Sequence, residues 1–375
     1  MVASSSPSLF RWLTRACAAA ALLAAGPASA LNPAVALEDY NHAMWTAKDG
    51  APSDIGAMAQ TSDGWLWLAT ATGLYRFDGV QFEHVALDLP GLKMHSRIYE
   101  LVARPNGDLW ITDTLGGIAV RHKDGTLEDA TPADSASVGV RSLAFEPDGS
   151  IWAASQNGLS LYRGGHWLKQ GQADGLPDGV IVTLLLDQEQ RLWLASSKGV
   201  YRYNRSARRF ELAGAGFSSG SLIQSPDGRV WAALPDRVVA ITASAPASGR
   251  PRSAFFNQSE SRRAQFDRDG NLWALHCPRG LCRITPEQQR GRATLLPQQD
   301  ATDRYDQRWQ MSSLSADVVL EDQEGNVWIA TTSGLDRLRQ NRLVPAHIPD
   351  PRGAYSMASD TEGRVWAADS EAATA

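Results

Sequence analysis

Apolar and polar residues alternate over short runs along most of the chain, and Gly-containing turns separate the runs. One block keeps returning: an apolar run such as Ile181 to Leu186, a tight turn, a Leu-Trp-Leu run, a second Gly turn and another alternating run. Asp-Gly between two apolar runs marks a β-hairpin, because glycine tolerates the positive φ such turns require. The spacer that follows, for instance Val80 to Ala86, predicts a fourth strand. Helical heptads are not apparent, so the pattern predicts an all-β chain.

Asp63-Gly64-Trp65-Leu66-Trp67 opens the series and Glu362-Gly363-Arg364-Val365-Trp366 ends it. The motif tryptophans are Trp67, Trp110, Trp152, Trp193, Trp231, Trp273, Trp328 and Trp366, separated by 43, 42, 41, 38, 42, 55 and 38 residues. A period of about 40 with strand-type alternation predicts a β-propeller rather than a two-helix solenoid. The expected architecture is seven four-stranded antiparallel blades and the start of an eighth repeat. In domain terms this means a leader over 1–30, a propeller over 31–350 and an incomplete repeat over 351–375.

In such a ring a large aromatic on each second strand fills the wedge between neighbouring blades. The alternative is a ring of sugar-stacking tryptophans. Alternation with polar neighbours at strand spacing favours the core role. The fourth copy has Glu189-Gln190 where the others have a Gly turn, which predicts a different turn type there.

Composition changes the picture little: 43% apolar and 21% charged residues, with 32 Gly and 13 Trp, describe a packed, turn-rich protein. A net charge of −5 argues against a phosphate-tracking surface, so nucleic acid is set aside as a partner. Arg11 and Arg15, the small apolar run Ala16 to Ala25, and Ala28-Ser29-Ala30 read as an export signal cleaved after Ala30. About ten apolar residues fall short of the ~20 that span a bilayer, and no second run of that length follows. Cys17 leaves with the signal. Cys277 and Cys282 remain, and an oxidising compartment predicts a disulfide between them. A metal site is the alternative, but only His276 lies nearby, and no metal or cofactor is expected.

The stretch Tyr40-Asn41-His42-Ala43-Met44-Trp45-Thr46-Ala47-Lys48-Asp49-Gly50-Ala51-Pro52, followed by Gln60, the first Trp block and Gly73-Leu74-Tyr75-Arg76-Phe77-Asp78-Gly79, carries more than a period. Together with Phe82 and the phrase Asp174-Gly175-Leu176-Pro177, it resembles the two-component regulator propeller family. The resemblance covers about residues 38 to 370; Ala51 stands where that family usually has Leu, and the fifth and sixth copies are degenerate. It implies a periplasmic sensor region of a membrane receptor, with two propellers and a small β-sandwich ahead of a membrane helix and a histidine kinase or diguanylate cyclase. It also implies that this chain is a truncated receptor, since kinase, nucleotide-binding and cyclase signatures are absent from the sequence.

No catalytic constellation is expected: no His-Glu-x-x-His or Gly-x-Ser-x-Gly motif occurs among the scattered His and Ser. Asp267-Arg268-Asp269-Gly270 reads as the repeated turn, not a calcium loop. Counting back 13 to 10 residues from the motif Trp places Arg97, Glu100, Arg141, Arg262, Arg263 and Asp317 near the start of innermost strands. There they would ring the mouth of the axial channel and suit an oligosaccharide or another polar small ligand, or simply solvate the rim. The long step of 55 adds Arg304, Tyr305, Arg308 and Trp309, whose aromatics would stack on sugars or anchor a partner. A surface insertion packed on its own blade is the competing reading. The function expected is ligand sensing or homodimer formation in a receptor ectodomain. The rivals are an exported propeller enzyme such as a polysaccharide lyase and a free-standing interaction scaffold.

Overall fold

The computed structural model describes residues 31–89, 97–131, 139–215, 220–241, 264–277, 280–301, 303–304, 311–341, 355–361, 364–369 and 373–374. The expected leader over 1–30 and the expected boundary at 350 lie outside the described residues. Two compact units are present, one reaching to Gln340 and one from Asn341 onward.

The first unit holds seven four-stranded antiparallel sheets. The first blade comprises Ala57–Gln60, Leu66–Thr70, Gly73–Phe77 and Phe82–Val85; the second, Ile98–Ala103, Leu109–Asp113, Ile118–Arg121 and Leu127–Asp129. The third is Val140–Phe145, Ile151–Ser155, Gly158–Arg163 and His166–Gln170, and the fourth is Ile181–Leu186, Leu192–Ser196, Gly199–Asn204 and Arg209–Ala215. The first strand of every blade lies against the first strand of the next, and that of the seventh returns to that of the first. Seven innermost strands therefore close a ring about one axis, a seven-bladed β-propeller.

Closure comes from the front of the chain. The seventh blade takes three strands from its own repeat, Ala316–Glu321, Val327–Thr331 and Gly334–Arg339, and its outermost strand is Asn41–Thr46. Asn41 pairs with Arg339 and Thr46 with Gly334. Trp45 rides on this strand and stacks on Trp328 at 5.6 Å while meeting Phe77 of the first blade edge-on at 5.2 Å.

The segment ahead of the closing strand is also fixed. Leu31 and Tyr40 are buried against Trp273 and Leu281 of the sixth blade and Val327 of the seventh. Arg283, fully buried on the sixth blade's third strand, donates to the Tyr40 hydroxyl and to the Val35 carbonyl (2.7 Å). Asn271 Nδ2 donates to the Leu31 carbonyl (3.0 Å).

The long step between Trp273 and Trp328 has a structural explanation. The fifth blade pairs Ser221–Gln224, Val230–Ala233 and Val238–Ala240 with an outermost strand, Thr294–Leu295, that comes after three strands of the sixth blade. The sixth then completes itself with Asp303–Arg304 beside Ala264–Phe266, Leu272–Cys277 and Gly280–Ile284. The expected insertion packed on its own blade is thus corrected: part of it belongs to the neighbouring sheet, because Val238 and Val239 have an open edge that Leu295 and Thr294 fill.

Each wedge between blades holds its own apolar cluster, and the motif Trp of a blade faces the wedge shared with the next. Trp67 packs with Leu101, Leu109 and Ile111 of the second blade, and Trp152 with Leu184, Leu194 and Phe210 of the fourth. Trp67, Trp152, Trp193, Trp231, Trp273 and Trp328 are all buried. Removing 150–250 Å² from water at ~25 cal/mol per Å² contributes on the order of 4–6 kcal/mol per ring, as an upper bound.

A buried indole N–H needs an acceptor. Six residues before the Trp, at the end of the first strand, stands a side chain that supplies it: Thr61 (2.9 Å), Glu146 (3.1 Å), Asp187 (2.7 Å), Ser225 (3.0 Å), Asp267 (2.8 Å) and Asp322 (2.7 Å). The second blade breaks the rule, with Arg104 in that place. Its guanidinium lies over the Phe145 ring at 4.2 Å, and Trp110 is only half-buried.

The intervening turn is the same in all seven blades, with a left-handed residue three places beyond the acceptor position. Glycine fills it at Gly64, Gly107, Gly149, Gly228, Gly270 and Gly325. The different turn expected at Glu189-Gln190 is not formed; Gln190 adopts the left-handed conformation at φ 60, and its N–H donates to the Asp187 carbonyl (2.9 Å) as in the other turns. The Asp187 carboxylate accepts from Glu189 and Arg191 N–H groups and holds the loop in shape. A side chain pays about 1 kcal/mol there. Gln190→Gly is therefore expected to raise the unfolding free energy by about 0.5–1 kcal/mol, read from the urea midpoint, whereas a loss of stability would show that no strain resides at this turn.

The second unit is a three-stranded sheet, Tyr355–Ser359, Val365–Asp369 and Ala373–Thr374. Trp366 Nε1 donates to Asp360 Oδ2 at 3.0 Å, the same six-residue relation as in the ring, but this indole is 45% exposed. The Arg364 guanidinium lies over this ring at 5.8 Å from its centre.

Candidate functional site

Three of the residues expected at the channel mouth, Glu100, Arg141 and Asp317, stand on innermost strands, and Arg97 adjoins one. Arg97 directly precedes Ile98–Ala103 and is exposed; its guanidinium lies beside Gly56, where an added Cβ would come within 3.0 Å of Arg97 Nη2. Glu100 is half-buried, and its Oε2 accepts the Leu143 N–H of the third blade (2.9 Å). Ser142 makes the corresponding link to Leu184 N–H of the fourth (3.1 Å). Glu100 therefore joins two blades. Arg141 and Asp317 occupy β-bulges, where the register shifts between Val140 and Ser142 and between Ala316 and Val318. Bulges re-aim a side chain, and both residues are half-buried. Arg97, Glu100 and Arg141 stand on adjacent second and third blades, while Asp317 is on the seventh, with the first blade between. Arg262, Arg263, Tyr305 and Trp309 lie outside the described residues.

Cys277 and Cys282 form a disulfide across the hairpin of the sixth blade, with Cα atoms 6.0 Å apart. Both are buried against Trp231 and Leu295 of the fifth-blade wedge. The bond thus lies in the core of a wedge, not on a rim. Among the described residues no group of three His, Cys, Asp or Glu is placed to hold a metal ion.

The turn at Asp267 is built around its carboxylate. Oδ1 accepts N–H groups of Asp269 and Asn271, and Oδ2 accepts Trp273 Nε1 and Asn271 Nδ2. Burial lifts this carboxyl above the usual aspartate range, and the donated hydrogen bonds offset that only in part. The folded state then holds the proton more tightly than the unfolded chain, so this contribution to stability is complete below the unfolded value and is lost as pH rises through the folded one. Asp267→Asn removes it. The stability gap between variant and parent should shift in the variant's favour above about pH 4, the unfolded aspartate value, and level off past the raised folded value. A gap independent of pH in urea melts would contradict this.

A cleft of about 610 Å³ opens away from the axis, between the second and third blades. Trp110 and Ile151 form its floor; Glu128 to Thr131 supply one wall, and Tyr162 with Gly165, His166 and Trp167 the other. Trp167 is fixed by donating its indole N–H to the Ala130 carbonyl (3.2 Å). His122 bridges Asp108 (3.2 Å) and Glu128 (3.1 Å). Burial opposes its charge, but the bonds to the two carboxylates outweigh burial and hold the imidazole above its ordinary value. Nothing in the motif period points to this cleft. The available signal was Arg104, the single non-acceptor in the series six residues before the Trp of the seven blades.

Seven four-stranded blades closed about one axis define the chain as a seven-bladed β-propeller. Its similarity to solved structures is more specific. Extracellular domains of two proteins described as hybrid two component systems, both from B. thetaiotaomicron, match with TM-scores of 0.60 and 0.62 at 21% and 15% identity. They cover 88% and 90% of this chain, which spans 44% and 49% of theirs. The virginiamycin B lyase of Staphylococcus aureus also matches, with TM-score 0.58 and 14% identity, over 80% of this chain and all of its own. No family model and no curated protein matches the sequence. Identities this low establish the fold.

Proposed function

We propose that this chain is the periplasmic ligand-sensing and dimer-forming propeller of a membrane signalling receptor whose output is a histidine kinase or diguanylate cyclase domain. One observation carries the reading: extracellular domains of hybrid two component systems match most of the chain, which spans less than half of each of them. The chain itself supports it, because a further copy of the Trp hairpin at residues 355–374 follows a ring already closed at Arg339. The ring performs no chemistry in this reading. Ligand at the channel mouth, near Arg97, Arg141 and Asp317, shifts the packing of paired ectodomains, and a membrane helix relays the shift.

The rival is a propeller enzyme, favoured by the likeness to the lyase. Two measurements separate them. Translating the DNA beyond codon 375 should reveal an in-frame continuation with more Trp repeats, a membrane helix and an output domain. Cleavage of polyanionic glycans by the purified chain, with no such continuation, would replace the receptor by a polysaccharide lyase.

A further inference from the structure

We propose that His122 is a proton-operated clamp on the outermost strand of the second blade. As the imidazolium it ties Leu127–Asp129 to the turn between the blade's first two strands; on losing its proton it frees that strand and the cleft wall continuous with it. The clamp is built within one blade and is independent of the channel mouth.

The geometry calls for two donors on one ring. His122 Nδ1 lies 3.2 Å from Asp108 Oδ1, and Nε2 lies 3.1 Å from Glu128 Oε2. A neutral imidazole carries one N–H and donates to only one of these carboxylates; the imidazolium carries two and satisfies both. Without the second proton a ring nitrogen's lone pair faces a carboxylate oxygen, so one arm must let go. The arms differ in how firmly they are held. The Asp108 side chain is 17% exposed and accepts Asn106 Nδ2 on its other oxygen (2.7 Å), and its backbone N–H donates to Asn106 Oδ1 (3.2 Å). Glu128 is 61% exposed on a short edge strand, and its arm is the one released.

Neighbouring charges act with the clamp or point elsewhere. Asp124, in the turn that His122 opens, accepts the Thr126 N–H and hydroxyl (2.9 and 2.6 Å), and its charge also attracts the imidazolium. Arg121 reaches the Trp67 ring of the first blade, the Lys123 stem lies beside Gly107, and Arg104 covers Phe145. Burial opposes the charge on His122, and the two carboxylates outweigh it. The folded protein therefore holds this proton more tightly than the unfolded chain. The clamp's contribution is complete below the unfolded imidazole value, about 6.5, and is lost as pH rises through the higher folded value. Release reaches the cleft by a short path. Leu127–Asp129 pairs with Arg121, Val120 and Ala119; the next residue, Ala130, donates its N–H to the Ile118 carbonyl (2.9 Å) and accepts the Trp167 indole N–H of the third blade (3.2 Å). Glu128 to Thr131 form one wall of the cleft. So short an edge strand opens easily, and a change in its side-chain tie shows in how often it does.

The test is a pH series on the purified chain, followed by NMR and hydrogen exchange. The His122 ring, assigned by its loss in His122→Gln, should titrate with a midpoint above the ordinary imidazole value of about 6.5, and Glu128→Gln should bring that midpoint down. Between about pH 5.5 and about pH 8.5 the protection factors of the Ala130 amide and the Trp167 indole N–H should fall about two- to fivefold, the scale of one exposed ion pair, in step with the His122 titration. Amides of the innermost strand Ile98–Ala103 should keep theirs. In His122→Gln both probes should become indifferent to pH; His166, across the cleft, would be the source of any dependence that survived. A His122 midpoint at or below about 6.5, constant protection across the range, or pH dependence retained in His122→Gln would overturn the clamp.

Discussion

Gly334→Ala will open the ring. A Cβ at this position would lie 2.1 Å from the Trp45 carbonyl oxygen and 3.3 Å from Thr46 Cα, both backbone atoms of the closing strand. Neither can move without breaking the pairing of Thr46 with Gly334 and Trp45 with Leu335. Overpacking against backbone and the unfavourable φ together cost about 3 kcal/mol or more, which lowers the melting temperature by roughly 5–10 °C. Gly158 starts the third strand of the third blade in the same way, with positive φ and no atom within 4 Å of an added Cβ. Gly158→Ala therefore carries the φ penalty alone, about 1–2 kcal/mol. Equal destabilisation of the two variants would mean that the closing strand is not held against Gly334.

The second large effect is expected at Arg283. Its guanidinium is buried, bonded to Tyr40 and Val35, and lies 5.3 Å from the Tyr40 ring centre and 5.9 Å from that of Trp273. Truncation to alanine leaves a void beside Trp273 and strips the Val35 carbonyl of a charged donor. Lost packing and lost charge-assisted hydrogen bonds together amount to about 3–5 kcal/mol. Because the group anchors the approach to the closing strand, hydrogen exchange should accelerate in 31–46 before it does in the first four blades. Arg283→Lys should recover only part of the loss, since one ammonium cannot reproduce the planar fork. A change under about 1 kcal/mol in Arg283→Ala would refute the anchoring role.

Much of the fold was legible because its signals are local. A hairpin is announced by adjacent residues, so the Trp blocks, the Asp-Gly turns and the number of blades could be read directly from the chain. The six-residue relation between Trp and its acceptor was equally present, in Thr61, Glu146, Asp187, Ser225, Asp267 and Asp322. What could not be read depends on pairing at a distance. Asn41–Thr46 meets Gly334–Arg339 across nearly the whole ring, and Thr294–Leu295, only two residues long, leaves no alternation to recognise. Gln190 was misread because residue type was taken for backbone conformation, whereas the Asp187 cap imposes the same turn. Counting back from the Trp reached Glu100, Arg141 and Asp317 on innermost strands, with Arg97 just before one, but could not reveal that Glu100 is tied to Leu143. The lateral cleft arises from outer strands more than thirty residues apart in sequence, Leu127–Asp129 and His166–Gln170, and only the stacking of blades brings them together.

The exchange of outer strands between the fifth and sixth blades has a consequence for how the chain acquires its shape. Neither sheet is complete until residues 294 to 304 have been laid down, so the two form one cooperative step, whereas the first four blades are each assembled from contiguous chain. Contacts that span long stretches of sequence form late. The strand Asn41–Thr46, made first, therefore finds its partner Gly334–Arg339 only when the last blade has been made.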